Sequence, residues 1–221
     1  MREITLHISE SVPNDVLAAR AEQFRGPYTH ECASDAFDER SLHLMIWEAS
    51  QLAAYGRLTL GPPGVFRTWS HGAAQIPEGQ DVADLGRCFV QPDYRRLELL
   101  RLVCLQGLTN ALARSMHVVN GAYVPGRFLA GTLHELGFCD AGTPVDEFEP
   151  NGCRVTIQPV TCDLKASVNR WSAQRALCLQ HLAKCGFAFV DSAQSVTKGE
   201  RARSAGLRPS DSQRADGLQA H

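Results

Sequence analysis

The sequence has no apolar run near the ~20 residues that cross a bilayer. Its first twenty residues carry charge throughout and have no apolar stretch of the kind a secretory leader needs. It has no charge surplus either. Lys and Arg number 22 against 24 Asp and Glu, a formal net charge of -2, whereas a general nucleic-acid binder needs a basic face to neutralise phosphates. None of the eight cysteines forms a C-x-x-C pair, and none of the eight histidines lies three or four residues from another. Disulfide frameworks belong to small secreted chains, and structural zinc shows closely paired ligands. The cysteines therefore read as small buried hydrophobes or incidental thiols. What the sequence does have, 44% hydrophobic and 21% charged residues, is enough to bury a real core. These features predict a soluble cytoplasmic protein with no transmembrane segment, no nucleic-acid partner and no metal.

Along the chain, Ile4, Leu6 and Ile8 alternate with polar residues and predict a first strand over residues 1–8. Asn14 or Asp15 can cap a helix reaching about Arg25, ended by Gly26-Pro27. Leu42–Trp47 and Gln51–Leu60 predict a strand hairpin, and Asp84–Val90 another strand. A long helix, apolar nearly all round and therefore buried, is predicted from about Arg95 to His117. Val118–Tyr123 predicts a strand, and Pro125 the start of a helix closed by Gly137-Phe138. Strands over Thr143–Phe148 and Arg154–Val160 follow, with Pro150-Asn151-Gly152 as the turn between them. Asp163 caps a last helix with Leu164, Val168, Trp171, Cys178 and Leu182 on one stripe. Beyond Val190 the large aliphatics all but vanish, and such a segment buries too little surface to offset its ordering entropy. The predicted organisation is a domain over 1–162, a helical extension over 163–190 and a disordered tail over 191–221.

Three constellations carry chemistry. In the first, the strand–turn–helix Leu85–Leu105, the loop Val90-Gln91-Pro92-Asp93-Tyr94-Arg95-Arg96 brings two cations to a helix start, where amides and dipole favour a phosphate; the plainer alternative is a solvated basic turn. The second is Ser34-Asp35-Ala36-Phe37-Asp38 followed by a strand and by Tyr55-Gly56-Arg57-Leu58, with Arg20 and Phe24 upstream on the first helix. Asp35 and Asp38, three apart, can hold the guanidinium of Arg20, Arg57 or Arg87 in bidentate geometry; the alternative is a cluster that only braces the loop. The third is Asp84-Leu85-Gly86-Arg87-Cys88-Phe89-Val90. By strand alternation Asp84 and Arg87 lie on opposite faces unless the strand is bulged, and Gly86 is the residue that would permit a bulge.

The element order over 1–160 resembles the Gcn5-related N-acetyltransferase (GNAT) fold, a mixed α/β architecture with a central sheet flanked by helices. The second and third constellations resemble the patterns of acyl-homoserine-lactone synthases: Arg-x-x-x-Phe, Asp-x-x-Asp with an arginine after a strand pair, and Glu-x-Ser-Arg-x-x-Val. That resemblance implies a thioester donor, acyl carrier protein or acyl-CoA, as co-substrate with no permanently bound cofactor. It implies donor contacts from Val90, Arg95, Arg96 and Leu97, and an acceptor-side network of Arg20, Phe24, Asp35, Asp38 and Arg57. Asp84 becomes the candidate to take a proton from an attacking amine, with Arg87 beside it, and the splayed strand of that superfamily implies a kink near Leu85-Gly86 that turns Asp84 toward the acceptor and Arg87 to the Asp35/Asp38 loop. Cys88 could be read as an acyl-accepting thiol, but a neutral buried thiol is the commoner case. Two departures set the branch. Glu98 and Leu100 stand where acetyltransferases have small residues, and Leu133 stands where they have a tyrosine. The segment between Phe24 and Asp35 is also short, with Tyr28 its only aromatic. The implied activity is transfer of a medium- or long-chain fatty acyl group to the amine of an amino acid or peptide side chain, as in N-acyl amino acid synthases. A lactone synthase and a non-catalytic module that binds acyl groups or carrier protein are the alternatives.

Overall fold

The structure is a computed structural model, and it describes residues 1–23, 34–61, 81–126, 129–148 and 154–192. Phe24, Tyr28, the turn at 150–152 and residues 193–221 lie outside the described residues.

The strands are β1 (Arg2–Ser9), β2 (Ser41–Glu48), β3 (Gln51–Gly61), β4 (Val82–Val90), β5 (Val118–Tyr123), β6 (Cys139–Asp140), β7 (Val145–Phe148), β8 (Arg154–Asp163) and β9 (Phe187–Asp191). The helices are α1 (Asn14–Gln23), α2 (Leu99–Ala113), α3 (Leu129–Leu136) and α4 (Leu164–Lys184). The strands form one mixed sheet in the order β6-β8-β5-β4-β3-β2-β1-β9, with β7 paired to β8.

Alternation along the strands sorts the two faces. Leu42, Leu44 and Ile46 of β2, with Ala54 and Leu58 of β3, join the main core beneath α2. Met45 of β2, Tyr55 of β3 and Phe89 of β4 pack instead with Val16 of α1 in a second cluster. The sheet is thus covered by α2 and α4 on one face and by α1 on the other. Helix α2 is apolar over most of its surface because it is buried between the sheet and α4, with Thr109 and Ala113 left exposed. It approaches so closely that a Cβ at Gly56 would overlap the Val103 side chain. Gly137 takes φ +103 at the end of α3, where a Cβ would also overlap Ser167 of α4. Left-handed backbone and close packing both call for glycine there.

Several elements differ from the sequence reading. The long helix begins at Leu99 rather than Arg95, after a 3₁₀ turn over Pro92–Tyr94 and a left-handed Glu98 at φ +56. Pro in first position has nucleated that tight turn, and the helix ladder opens afterwards, with the Leu102 amide donating to the Glu98 carbonyl. Pro125 lies in a turn, and α3 is described from Leu129, residues 127 and 128 lying outside the described residues. Asp163 does cap α4, its carboxylate accepting from the Ala166 amide at 2.9 Å, but Val168 falls on the exposed side of that helix. Residues 163–190 are more than a helical extension. After α4 the chain returns as β9, parallel to β1, pairing from Arg2↔Phe187 to Leu6↔Asp191. Asp191, the first residue of the expected tail, is therefore the last residue of a strand, where Arg175 donates to it at 2.8 Å.

Candidate active site

The face of the sheet turned toward α1 carries the polar chemistry. Pairing registers align Ser41, Thr59, Asp84 and Asn120 as one transverse row across β2, β3, β4 and β5. The hydroxyls of Ser41 and Thr59 are 2.8 Å apart. The adjacent row holds His43, Arg57 and Gly86.

Above these rows five of the expected residues meet. Arg20 of α1, fully buried, donates from Nη1 to Asp38 Oδ1 at 2.8 Å. Arg57 donates from its own Nη1 to Asp35 Oδ1 at 2.6 Å and to Asp38 Oδ1 at 2.9 Å. Arg87 closes the network, Nη2 to Asp35 Oδ2 at 3.1 Å. Arg57 thus bridges the two carboxylates through one nitrogen instead of gripping one of them with the bidentate fork expected from the spacing. The loop is held locally as well: the Asp35 amide donates to Asp38 Oδ2, and the Phe37 amide to Asp35 Oδ1, each at 3.0 Å.

Burial pushes the Asp38 carboxyl up, but the hydrogen bonds from Arg20 and Arg57 overcome it and hold that group at about 2. Asp35 is drawn below its usual value by the Arg57 charge despite its own burial. Both stay ionised at neutral pH. His43, also fully buried, supports the network from below. Its Nε2 lies 3.1 Å from the Asp38 carbonyl and its Nδ1 2.8 Å from the Tyr55 hydroxyl. A carbonyl can only accept, so Nε2 carries the proton and the Tyr55 O–H donates to Nδ1. Burial lowers the His43 pKa and raises that of Tyr55, which keeps both neutral.

The kink in β4 is present, displaced from the expected position. Tyr55 pairs with Phe89 and Arg57 with Gly86, so two steps on β3 match three on β4. The extra residue falls at Arg87-Cys88, and Arg87, not Gly86, takes the left-handed backbone, φ +54. The bulge shifts the parity of the strand. Leu85 points toward α2, where it would meet a Cβ on Gly107; Arg87 turns to the Asp35 side; and Cys88 points back, its Sγ 3.1 Å from a Cβ built on Gly56. Asp84 and Arg87 thereby share one face. Beside them, β4 and β5 run parallel and pair over Val82↔Val118, Ala83↔Val119 and Asp84↔Asn120. Beyond that pair β4 pairs with β3 alone and β5 with β8 alone. The sheet parts there, leaving a notch with Asp84 and Asn120 at its apex.

The loop after β4 is less like the expectation. Arg95 and Arg96 are exposed and precede the helix, and the Arg95 amide is already engaged by the Pro92 carbonyl. The Arg96 carbonyl accepts from His181 of α4 at 2.7 Å. Leu97 is buried in the main core and Val90 packs against it, so both face α2 and not the polar rows. Glu98, in the left-handed conformation natural to glycine, pairs with Arg101 at 3.1 Å. Leu133 is buried in the core. Cys88 and Cys104 lie side by side, and the neighbouring thiol and burial raise the Cys104 pKa, which keeps it a neutral core thiol.

The sequence reading passed over two participants. His43 was hidden as one polar position in an alternating strand, and Asn120 as a lone polar residue in Val-Val-Asn-Gly-Ala-Tyr. Burial alone singles them out.

Residues 16–104 match the acetyltransferase (GNAT) domain. No curated protein matches the sequence. Among solved structures, the CoA-dependent acyl-homoserine lactone synthase BjaI superposes with a TM-score of 0.56 at 17% identity, over 80% of this chain and 90% of its own. A second such synthase, MesI, gives 0.55 at 16% identity over 79% and 94%. The ribosomal-protein-S18-alanine N-acetyltransferase of Escherichia coli gives 0.52 at 19% identity over 72% and 94%. The matched segment is that of a GNAT acetyltransferase domain, and the fold is the one these N-acyltransferase structures share.

Proposed function

We propose that the chain transfers a medium- or long-chain acyl group from a carrier-protein or coenzyme A thioester to the amine of an amino acid or peptide side chain. The observation that carries this reading is the notch between β4 and β5, with the Asp84 carboxylate at its apex and the bulge at Arg87 on its wall. The amine nitrogen attacks the thioester carbonyl carbon. The C–N bond forms, the C–S bond breaks, Asp84 takes the amine proton directly or through water, and the departing sulfur leaves as the thiol after gaining a proton. The Arg20–Asp38–Arg57–Asp35–Arg87 network holds the 34–40 loop and the Arg87 bulge in place at the acceptor side, and Arg95 and Arg96 meet the donor's phosphate from the exposed turn. A longer acyl chain than acetyl is supported by Glu98 and Leu100 in place of small residues and by the buried Leu133 in place of a tyrosine. A lactone-forming enzyme is the second reading, favoured by the Arg-Asp network.

The test incubates the protein with octanoyl and palmitoyl thioesters, on both coenzyme A and carrier protein, and a panel of amines. Mass spectrometry should find a linear N-acyl amide and one free thiol per amide. A homoserine-lactone amide selects the second reading. Thioester loss without any amide, or donor binding without turnover, overturns the proposal in favour of a hydrolase or a binding module.

A further inference from the structure

Asn120 carries an anomaly. Its side chain is 1% exposed, yet neither its amide nitrogen Nδ2 nor its oxygen Oδ1 has a hydrogen-bond partner among the described residues. A buried amide with both ends unmet is costly, and native structures keep such groups chiefly where function requires them. Fold does not require it: an aliphatic residue would suit that position beside Val119 in an otherwise small-residue and apolar strand. Its position is specific as well. Asn120 is the last residue of β5 paired to β4, directly beside Asp84, on the same face and at the apex of the notch. Val119 and Gly121, its neighbours in sequence, face the opposite way, Val119 into the core and Gly121 toward Phe138 and Val160.

Building on the acyl-transfer reading, we infer that Asn120 binds the acceptor and that it selects an amine adjacent to a carbonyl, the arrangement of an amino acid or its amide, over a simple alkylamine. An orphaned donor and an orphaned acceptor on one planar group call for a ligand that offers both at close spacing. The α-amine of an amino amide donates to Oδ1 while its carbonyl accepts from Nδ2. This leaves the nitrogen lone pair for the thioester carbon and a second N–H for Asp84. The donor's own amides offer the same chemistry, so the experiment separates the two sources. The acceptor is the better fit because Asn120 lies on the Asp84 face, where the proton is taken. A site built to hydrogen-bond a polar group rejects the analogue lacking it much more strongly than an apolar pocket rejects a misfit.

The experiment compares leucinamide with 3-methylbutylamine, the same molecule without its carboxamide, using octanoyl-CoA as donor. Wild type should favour leucinamide by ~10-fold or more in kcat/KM at equal free-amine concentration. In Asn120→Val, and in the smaller Asn120→Ser, that ratio should fall toward one, with the KM for octanoyl-CoA changed less than about twofold. Asn120→Val should melt no lower than wild type, since an unpaired amide is removed. Equal use of the two amines by wild type overturns the inference. So does an unchanged ratio in both variants, or a rise in donor KM alone, which would assign the amide to the donor. A fall in melting temperature with the ratio intact shows a structural role. Acylation of other panel amines but of neither probe also defeats it, while no acylation of any amine defeats the acyl-transfer reading itself.

Discussion

Asp38 is the residue on which the network turns, because it receives two guanidinium groups in a nearly dry place: its side chain is 6% exposed and that of Arg20 0%. A buried ion pair adds little net stability, but removing one partner leaves uncompensated charge, at a cost of roughly 3–5 kcal/mol. Asp38→Asn should therefore lower urea-unfolding stability by about that amount, and more than Asp35→Asn, whose carboxylate is 20% exposed. A loss under 1 kcal/mol would show that the network is weakly held. The pH dependence follows from the direction of the shift. The Asp38 carboxyl is held at about 2 when folded against an ordinary 3.8, so its stabilising contribution is full above about pH 4 and is lost as pH falls toward 2. Wild type should lose stability steeply across that window and Asp38→Asn should lose less, as read by melting temperature against pH. In the proposed reaction Asp84 acts on chemistry. Asp84→Asn keeps the shape and removes the base, so kcat should drop ~10²–10⁴-fold with little change in donor KM. Full activity in that variant would move the base elsewhere.

At the level of elements, the β4 bulge joins backbone conformation to site assembly. The family resemblance implied an irregularity between Asp84 and Arg87, which strand parity demands if the two are to share a face. Its placement was not legible in the sequence, because Gly86 offers freedom cheaply while the left-handed residue proves to be Arg87. The ion pair with Asp35 holds that strained conformation in place. This separates two substitutions. Arg87→Ala loses the ion pair and keeps the strain, whereas Arg87→Gly loses the same ion pair and relieves it. The glycine variant should be the more stable of the two by ~1 kcal/mol, and both should raise the acceptor KM, since both release the 34–40 loop. Equal stabilities would show that the backbone at 87 is unstrained. The other elements divide along similar lines. β1 could be read within a residue or two of its ends from its alternation, and β2 and β3 as largely apolar runs, since both of their faces are covered. The start of α2 was placed a turn early because Arg95, Arg96 and Leu97 are good helix formers, and nothing in the sequence marks Glu98 as left-handed. The apex pair shows the same limit at the site: Asp84 was legible from its motif, Asn120 only from its burial.

The whole molecule is built around a sheet whose far edge is closed by the last described segment. β9 was invisible in the sequence, since Phe-Ala-Phe-Val-Asp is five residues long and follows a 21-residue helix without a polar break beyond Cys185-Gly186. Its contribution can be weighed. Phe187 is 7% exposed in the main core, and burial of such a side chain is worth ~1.5–3 kcal/mol. Arg2 lies over its ring at 4.7 Å, and the ladder to β1 satisfies backbone groups that would otherwise form an open edge. Ser192 extends the pairing, its amide donating to the Leu6 carbonyl at 3.3 Å. The large aliphatics in the sequence beyond Ser192 are Val196, Leu207 and Leu218, a composition that predicts little further burial. Two truncations therefore bracket the boundary of the folded unit. A chain ending at Ser192 should melt within about a degree of the full chain and turn over at the same rate. A chain ending at Gly186 should melt several degrees lower, near 4–8 °C per kcal/mol lost for small domains and half that for larger ones. It should also associate through the bared β1 edge, seen as a concentration-dependent shift in size-exclusion elution. If the shorter chain melts and elutes like the full one, β9 is an ornament on a sheet complete without it; if the longer one loses stability, residues after 192 belong to the fold.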